Sequence, residues 1–419
     1  MPFSSLGLAP ALLRAVGELS YSQPTPVQAA AIPPILAGRD VLAMAQTGSG
    51  KTAAFGLPLL QAQFKTPAGP RVARALVLVP TRELVVQVGN ALTALSSHMA
   101  RRPKVAQLFG GVSINPQMMD LRGGADVVVA TPGRLLDLVE HNALSLAAVS
   151  LLVLDEADRL LDLGFSDELA RILALLPVRR QSLFFSATFP PAVAALADQL
   201  LADPVRVEVV PLPETAPDIA QRSIAVDVAR RTQLLKHLLG TEKWRTALVF
   251  VATKYAADHV ADKLQRNGIS AGALHGDASQ GARSQVLADF KSGHLQVLVA
   301  TDVAARGIDI PLLPAVVNYD LPRSPDDYLH RIGRTGRAGE RGTAVSFVSA
   351  DTEAHFRLIE KRQGLQLERE SIAGFEATAV APAVPPGLTV TDTEHGGIKG
   401  KRKSKKDKLR EAAVQNGND

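Results

Sequence analysis

The chain contains no cysteine and no long uninterrupted apolar run. Without cysteine it can form neither disulfides nor thiolate metal sites, which suits a reducing compartment. Proline and charged residues interrupt every long apolar stretch, so no membrane-spanning helix is predicted, and the N-terminus lacks the charged-then-apolar pattern of a signal peptide. These absences predict a cytoplasmic protein that makes no membrane contact.

Most of the chain also lacks excess charge. The formal net charge is +5, but residues 399–410 carry eight positive side chains and one negative one. That run contributes +7, which leaves −2 for all other residues. A nucleic-acid groove in the body of the protein would therefore require a local arrangement of basic residues.

The chain has 419 residues, 46% of them apolar, which is enough for two packed domains. Short apolar segments alternate with helical patterns in both halves, which is typical of parallel α/β structure. Strands are predicted near residues 41–45, 75–79, 105–109, 126–130, 151–154, 182–186, 223–228, 246–251, 270–274, 296–300, 315–319 and 343–348. The predicted organisation is α/β, with similar parallel-sheet domains at 1–205 and 219–365, a proline-rich linker at 206–218, and a disordered basic tail at 366–419.

A glycine-rich segment, residues 45–52, directly follows the apolar stretch 41–44. Its glycines would let backbone amides approach a phosphate closely, Lys51 would neutralise the β- and γ-phosphates, and the Thr52 hydroxyl would help to hold Mg²⁺. Ala45 stands where the strict phosphate-loop pattern has its first glycine, so a simple strand-to-helix turn is the alternative interpretation. The predicted phosphate-binding residues are Gln46, Thr47, Gly48, Ser49, Gly50, Lys51 and Thr52.

Two acids follow the apolar run 151–154, in the sequence Asp155-Glu156-Ala157-Asp158. Open α/β sheets bind ligands at the carboxyl ends of their strands. Asp155 is predicted to hold Mg²⁺, largely through water, and Glu156 to orient or deprotonate an attacking water. A solvated acidic turn is the alternative, and the upstream phosphate loop disfavours it.

With these motifs the chain resembles the DEAD-box ATP-dependent RNA helicases from its start to about residue 365. The resemblance implies two tandem RecA-like domains. It also implies that Tyr21 stacks on adenine and Gln28 hydrogen-bonds its edge, although Ser20 replaces the glycine usual before the aromatic. In the second half, Asp309 would contact the ATP ribose, and Arg334 and Arg337 would reach the γ-phosphate as arginine fingers.

The same resemblance implies a set of RNA contacts in loops that follow strands. Backbone amides, hydroxyls and guanidinium groups in such loops suit the sugar-phosphate backbone, which they position without reading sequence. The implied RNA-binding residues are Pro80, Thr81, Arg82, Gly110, Gly111, Thr131, Arg134, Thr253, Gly276, Arg283 and Thr301.

Four further residues would couple the nucleotide site to the RNA site in the family pattern: Asp158, Ser186, Thr188 and His330. A structural role is the alternative for His330. Arg331, Arg334 and Arg337 recur every third residue, which predicts that they point along one side.

The function implied is RNA-stimulated ATP hydrolysis that closes the two domains and locally separates short RNA duplexes, with ATP and Mg²⁺ as cofactors. An ATP-gated RNA clamp or annealing chaperone is the alternative. A monomer acting in ribosome assembly or RNA turnover is expected, with ribosomal or RNA-decay proteins as partners. The beginning of the chain and its short basic tail resemble the bacterial RhlE-like branch.

Overall fold

A computed structural model of the chain describes residues 2–45, 48–63, 69–209, 218–305, 313–336 and 341–378. These residues form two compact units, which divide between residues 216 and 217. Of the described residues, the first unit holds 2–45, 48–63, 69–209 and Ala305, and the second holds 218–304 and 313–378. None of the described helices is both long enough and apolar enough to span a bilayer.

The first unit is built on a seven-stranded, all-parallel sheet with the strand order β3-β4-β2-β5-β6-β1-β7. Its strands are β1 (Val41–Met44), β2 (Ala75–Leu78), β3 (Val105–Leu108), β4 (Val127–Ala130), β5 (Leu151–Leu154), β6 (Gln181–Ser186) and β7 (Val205–Glu208). The central strands are buried along their whole length, as expected of a parallel sheet that helices cover on both faces.

Alternate side chains of each strand enter two separate cores, one on each face of this sheet. Along β2, Val77 packs in one core, whereas Leu76 and Leu78 pack in the other. The helices that cover the two faces are α1 (Pro10–Glu18), α2 (Pro26–Leu36), α3 (Lys51–Gln63), α4 (Arg82–Leu95), α5 (Asn115–Leu121), α6 (Pro132–Glu140), α7 (Ala157–Asp162), α8 (Ser166–Leu175) and α9 (Pro191–Leu200).

The second unit repeats this plan with a second parallel sheet in the order β10-β11-β9-β12-β13-β8-β14. Its strands are β8 (Ile219–Ala225), β9 (Ala247–Val251), β10 (Ala271–Leu274), β11 (Val297–Thr301), β12 (Ala315–Asn318), β13 (Gly342–Val348) and β14 (Arg369–Glu370). Its helices are α10 (Arg231–Thr241), α11 (Lys254–Arg266), α12 (Gln280–Lys291), α13 (Asp302–Ala305), α14 (Pro325–Ile332) and α15 (Glu353–Gln363).

The structure extends both units beyond the sequence-based boundaries. Strand β7 pairs with β1 over residues 205–208, so the first sheet continues into the stretch interpreted as linker. Residues 366–378, interpreted as tail, instead belong to the second unit: β14 pairs with β8, and the Thr378 hydroxyl donates to Asp227 at 2.7 Å. Residues 210–217 and 379–419 lie outside the described residues.

The order of the first sheet sets β5, β6 and β1 side by side, with their carboxyl ends at one edge. The phosphate loop follows β1, Asp155 follows β5, and Ser186 ends β6. Because neighbouring strands lie about 4.8 Å apart, three segments that are distant in sequence meet at one edge.

Candidate nucleotide and RNA site

The phosphate loop ends in a buried cation, Lys51, that has no hydrogen-bond partner in the described part of the chain. Gly48 and Gly50 have φ values of 81° and 91°, which favour glycine, and Lys51 is the first residue of α3. Lys51 is only 6% exposed, and among the described residues neither its Nζ nor the buried Ser49 Oγ has a hydrogen-bond partner. Buried polar groups are normally paired, so this arrangement fits a phosphate at the helix N-terminus.

The Asp155 carboxylate lies at the end of β5 and is 3% exposed. Burial raises its pKa, while the positive charge of Lys51 and a hydrogen bond from the Glu156 amide, at 3.0 Å, oppose that rise. Because the effect of burial outweighs these two favourable contacts, a cation beside Asp155 would stabilise its charged form. Thr52, which follows Lys51 on α3, has a hydroxyl that suits the same cation. Asp155 and Thr52 therefore fit the predicted Mg²⁺ site.

Glu156 has left-handed backbone torsions, with φ 52° and ψ 51°, and is 7% exposed. Non-glycine residues adopt this conformation rarely, and such residues are frequent at functional sites. Here it makes the sharp turn from β5 into α7, which begins at Ala157.

Gln28 is held by the phosphate loop and by its own helix. Its Oε1 accepts from the Thr25 amide at 3.0 Å, and its Nε2 donates to the Gly50 carbonyl at 3.1 Å. A Cβ at Gly50 would lie 2.4 Å from the Gln28 Nε2, so a side chain there would displace the amide. Tyr21, the predicted adenine-stacking residue, is 41% exposed. The amide thus links the predicted adenine-reading segment to the loop.

Three of the predicted coupling residues are joined directly. The Asp158 Oδ2 accepts from the Thr188 amide at 3.0 Å and from its hydroxyl at 2.8 Å. The Ser186 hydroxyl donates to the Thr188 carbonyl at 2.7 Å. The acidic motif and the end of β6 are therefore one hydrogen-bonded unit. His330, on α14, belongs to the second unit.

The predicted RNA loops of the first unit also converge, because β2, β4 and β3 are adjacent. Thr81 caps α4, its Oγ1 accepting from the Leu84 amide at 3.3 Å. The Arg82 guanidinium lies against Gly111, where a Cβ would be 2.0 Å from Nη2. Arg134 is 7% exposed, and its Nη2 donates to the Val112 carbonyl at 2.7 Å. The remaining members of this group follow the same strands: Pro80, Gly110 and Thr131.

Sequence analysis missed Gln117, which holds the loop after β3 in place. Its Oε1 accepts from the Phe109 amide and its Nε2 donates to the Phe109 carbonyl, both at 3.1 Å. The residue lies on α5, eight positions away, and a single glutamine in a seven-residue helix gives no sequence signal for this role.

In the second unit, Thr253, Gly276 and Thr301 come at or just after the carboxyl ends of the adjacent strands β9, β10 and β11. The Thr253 Oγ1 caps α11 by accepting from the Ala256 amide at 3.0 Å. Arg283, on α12, is 5% exposed. These four predicted residues therefore lie on neighbouring elements of one unit.

The prediction that Arg331, Arg334 and Arg337 point along one side stays a prediction, because Arg337 lies outside the described residues. The Arg331 side chain is 3% exposed and binds Asp302 at 2.5 and 2.7 Å. It also lies 4.9 Å from the centre of the Phe250 ring. Arg331 is thus anchored inside the second unit, a role set by partners that are distant in sequence. Arg334 is half-buried, whereas Gln46, Thr47, Asp309 and Arg337 lie outside the described residues.

Comparisons with known proteins agree with this arrangement. The DEAD/DEAH box helicase model matches residues 25–196, and the helicase conserved C-terminal domain model matches residues 230–339. The chain is 44% identical over 359 residues to the ATP-dependent RNA helicase DeaD of Mycobacterium tuberculosis, covering 86% of this chain and 63% of that protein. It is 40% identical over 367 residues to the DEAD-box ATP-dependent RNA helicase CshA of Bacillus cereus, covering 88% and 69%.

A solved structure of S. cerevisiae Dbp5 bound to RNA and ADP BeF3 matches with a TM-score of 0.77 and 33% identity, over 88% of this chain and 95% of that one. Two parallel seven-stranded sheets with flanking helices define a protein with tandem RecA-like domains. The matches are more specific: the chain belongs to the DEAD/DEAH box helicase family. It spans about 63% of the length of the DeaD relative, and the branch within the family stays a prediction.

Proposed function

We propose that this protein is an ATP-dependent RNA helicase that couples ATP hydrolysis to local, non-processive separation of RNA duplexes. The observation that supports this most strongly is the buried Lys51 Nζ, without a hydrogen-bond partner among the described residues, together with the buried Asp155 carboxylate at one sheet edge. A polyphosphate with a divalent cation would satisfy both groups.

In this proposal Lys51 and the amides of the phosphate loop bind the β- and γ-phosphates, and Gln28 contacts the adenine edge. When bound, Mg²⁺ neutralises charge on the phosphates, with Asp155 and Thr52 as its protein partners. Glu156 orients the attacking water and accepts its proton.

Residues from the second half of the sequence complete the site in this proposal: Asp309 binds the ribose, and Arg334 and Arg337 stabilise charge on the transferred phosphoryl group. Each unit then carries only part of the hydrolytic machinery, so ATP and RNA both favour a closed arrangement of the units. By linkage each ligand tightens the binding of the other. The bond between Asp158 and Thr188 couples the acidic motif to β6, and His330 serves the same coupling from the second unit.

RNA is proposed to bind the loops that follow β2, β3 and β4 and those that follow β9, β10 and β11. The hydroxyls, amides and guanidinium groups there suit phosphates and sugars, and the 2′-hydroxyl is the chemical feature by which RNA would be preferred to DNA. The structural neighbour Dbp5 is described as bound to RNA and ADP BeF3, which supports RNA as the ligand.

The first test is ATP hydrolysis measured without nucleic acid, with single-stranded RNA, with duplex RNA and with matched DNA. RNA alone is expected to stimulate strongly, and Glu156→Gln is expected to reduce the stimulated rate by at least about 100-fold, as for loss of a general base. Equal stimulation by DNA, or substantial hydrolysis without nucleic acid, would contradict the proposal.

A strand-separation assay distinguishes the helicase from the alternative, an ATP-gated RNA clamp or annealing chaperone. The helicase releases a labelled strand from a short duplex only with ATP. The clamp would hydrolyse ATP and retain RNA with little release. We place the activity in the cytoplasm, in ribosome assembly or RNA turnover, acting as a monomer with ribosomal or RNA-decay proteins as partners.

The basic run at residues 399–410 is proposed to add sequence-independent RNA affinity that depends on salt. Deleting residues 396–419 should weaken RNA binding more at low salt than at high salt. Unchanged affinity at low salt would mean that the basic run only keeps the protein soluble.

A further inference from the structure

A second concentration of positive charge lies at the opposite edge of the first sheet from the nucleotide site. The segments that enter β2, β3 and β4 at their amino ends carry six basic residues, here called the basic edge. The basic edge consists of Arg71, Arg74, Arg101, Arg102, Lys104 and Arg122. None of them belongs to the proposed ATP or RNA contacts described above.

Contacts between the three segments hold the basic edge together. The Arg71 Nε lies 3.1 Å from the Asp126 Oδ2, and the Arg101 Nη2 donates to the Gly69 carbonyl at 3.2 Å. A Cβ at Gly124 would lie 2.1 Å from the Arg71 carbonyl oxygen, so the segments before β2 and β4 touch. The basic residues are therefore clustered in space as well as in sequence.

Carboxylates compensate only part of this charge. Asp126 is buried beneath Arg71 and also accepts from the Lys104 amide at 2.7 Å, and Asp120 lies 3.1 Å from the Lys104 Nζ. Among the described residues no carboxylate pairs with Arg74, Arg102 or Arg122, and the last two are exposed. Because the body of the chain has a slightly negative net charge, this excess is local.

The fold itself does not require the basic edge. In the second unit, which has the same strand order, the residues just before β10, β11 and β9 are Ser270, Gln296 and Thr246. The corresponding residues of the first unit are Lys104, Asp126 and Arg74. Charge at these three positions is thus a property of one unit, although the segment before β9 in the second unit also carries two basic residues, Lys243 and Arg245.

We propose that the basic edge is a second, sequence-independent binding surface for RNA phosphates. Five of its six residues are arginines, whose planar fork binds phosphate oxygens in pairs. Two large apolar side chains are exposed near these segments: Val72 is 38% exposed, and Met119, three residues before Arg122, is 62% exposed. Basic side chains outnumber them at this surface, whereas a typical protein interface has an apolar centre.

The position of the basic edge predicts which RNAs use it. A strand of four residues spans roughly 13 Å, which a few nucleotides at roughly 3.4 Å each would cover in a straight line. An RNA that contacts both edges must also pass around the side of the sheet, which takes a longer strand. Only an RNA long enough to bind the loops at the carboxyl edge and pass to the other side would engage both. The choice of RNA as the polyanion rests on the proposed function.

The test compares the full chain with the variant Arg74→Gln/Arg102→Gln/Arg122→Gln. Affinity is measured without nucleotide, over a range of salt, for single-stranded RNA of about ten nucleotides and a hairpin of about forty. The variant should bind the hairpin roughly tenfold more weakly at low salt, and its log-log salt slope should be shallower by about 2. Its affinity for the short RNA, and the ATPase rate that this RNA stimulates, should not change.

The matched control is Arg245→Gln/Lys263→Gln/Arg266→Gln, which removes three exposed charges from the second unit and should leave hairpin binding unchanged. Wild-type affinity and slope in the first variant would overturn the inference, as would equal losses in both variants. A preference of the wild type for poly-glutamate over RNA would identify an acidic protein as the partner and would also overturn it. Failure of the proposed function appears separately, as absent ATPase stimulation by the short RNA in the wild type.

Discussion

The two units share one strand order, yet the basic side chain at the equivalent position is hydrogen-bonded in the second unit and, among the described residues, not in the first. After the first strand of each sheet in chain order, a cation stands at the first residue of a long helix: Lys51 opens α3, and Arg231 opens α10. In the first unit Lys51 Nζ is buried without a hydrogen-bond partner among the described residues. In the second, Arg231 donates to Asp320 at 2.8 Å and to the Ser349 hydroxyl at 2.7 Å.

The acids opposite these cations differ in the same way. Asp155 follows β5 and has a raised pKa because burial outweighs its favourable contacts. Asp320 follows β12, the strand at the same place in the second sheet, and accepts from Arg231 and from the Ala252 amide at 2.8 Å. A closed ion pair contributes to the stability of the second unit, whereas an incompletely satisfied pair leaves the first ready for a ligand.

The largest effect is expected from breaking the closed pair. Arg231→Met should lower the free energy of unfolding of the second unit by about 3 kcal/mol, because it leaves a partly buried Asp320 without its cation. The only tryptophan of the chain, Trp244, is buried in that unit, so urea unfolding followed by its fluorescence reports on it directly.

A double variant separates the ion pair from other consequences of the substitution. Adding Asp320→Asn to Arg231→Met should recover part of the lost stability, since no uncompensated carboxylate then remains. No recovery would mean that packing of the arginine stem, and not the charge pair, stabilises this position.

The matching substitution in the first unit, Lys51→Met, should reduce ATP hydrolysis strongly and stability only slightly. Lys51→Met is expected to cost at least about 100-fold in ATP hydrolysis, equivalent to about 2.7 kcal/mol of transition-state stabilisation. Stability without nucleotide should fall less than in Arg231→Met, because the buried Nζ loses no hydrogen bond among the described residues, although Asp155 loses the nearby charge of Lys51. A stability loss comparable to that of Arg231→Met would break the comparison between the two units.

The strands that sequence analysis missed were those with the weakest local signal. The six predicted strands of each half overlap strands of the structure, and most of them are apolar runs inside a parallel sheet, although β3 and β10 are themselves edge strands. The strand β7 was missed because its alternating, half-exposed residues lie next to a proline-rich stretch, and β14 has only two residues. Both are at a sheet edge, where burial imposes little pattern on the sequence.

The site shows the same limit. The sequence motifs and the periodicity of apolar residues predict Lys51 and Asp155 at strand ends, and the structure has both at one edge of the first sheet. The bond from Gln28 to Gly50 and the burial of Arg331 could not be predicted, since each depends on how elements far apart in sequence pack. Periodicity predicts an element and its buried face, but not the partner of a polar side chain.

Varying pH tests whether burial outweighs the favourable contacts of the Asp155 carboxylate. Asp155→Asn should raise the free energy of unfolding of the ligand-free protein by about 1 kcal/mol near neutral pH, because the variant buries no charge. The raised pKa means that the folded state keeps this proton at pH values where the unfolded state, with its ordinary value of 3.8, has lost it. The contribution of Asp155 to stability therefore falls as pH rises from 3.8 through the raised pKa.

The advantage of Asp155→Asn should accordingly vanish at acidic pH, grow as pH rises, and become constant above the folded-state pKa. Chemical denaturation of both proteins between acidic and neutral pH measures this difference. An advantage that does not vary with pH would mean that Lys51 already neutralises the carboxylate fully, as Arg231 pairs with Asp320.

The smallest effect on stability is expected at the bond between Asp158 and Thr188, where Thr188→Val removes the hydroxyl donor but keeps the amide donor. Stability should fall by less than about 1 kcal/mol, since Asp158 Oδ2 retains the Thr188 amide at 3.0 Å. If this hydroxyl couples the acidic motif to β6, duplex separation per ATP hydrolysed should fall several-fold while RNA-stimulated hydrolysis stays within about twofold. Ser349→Ala is the matched change in the second unit and should leave that ratio unchanged. A parallel loss of hydrolysis and separation in Thr188→Val would instead make the bond a support of the nucleotide site alone.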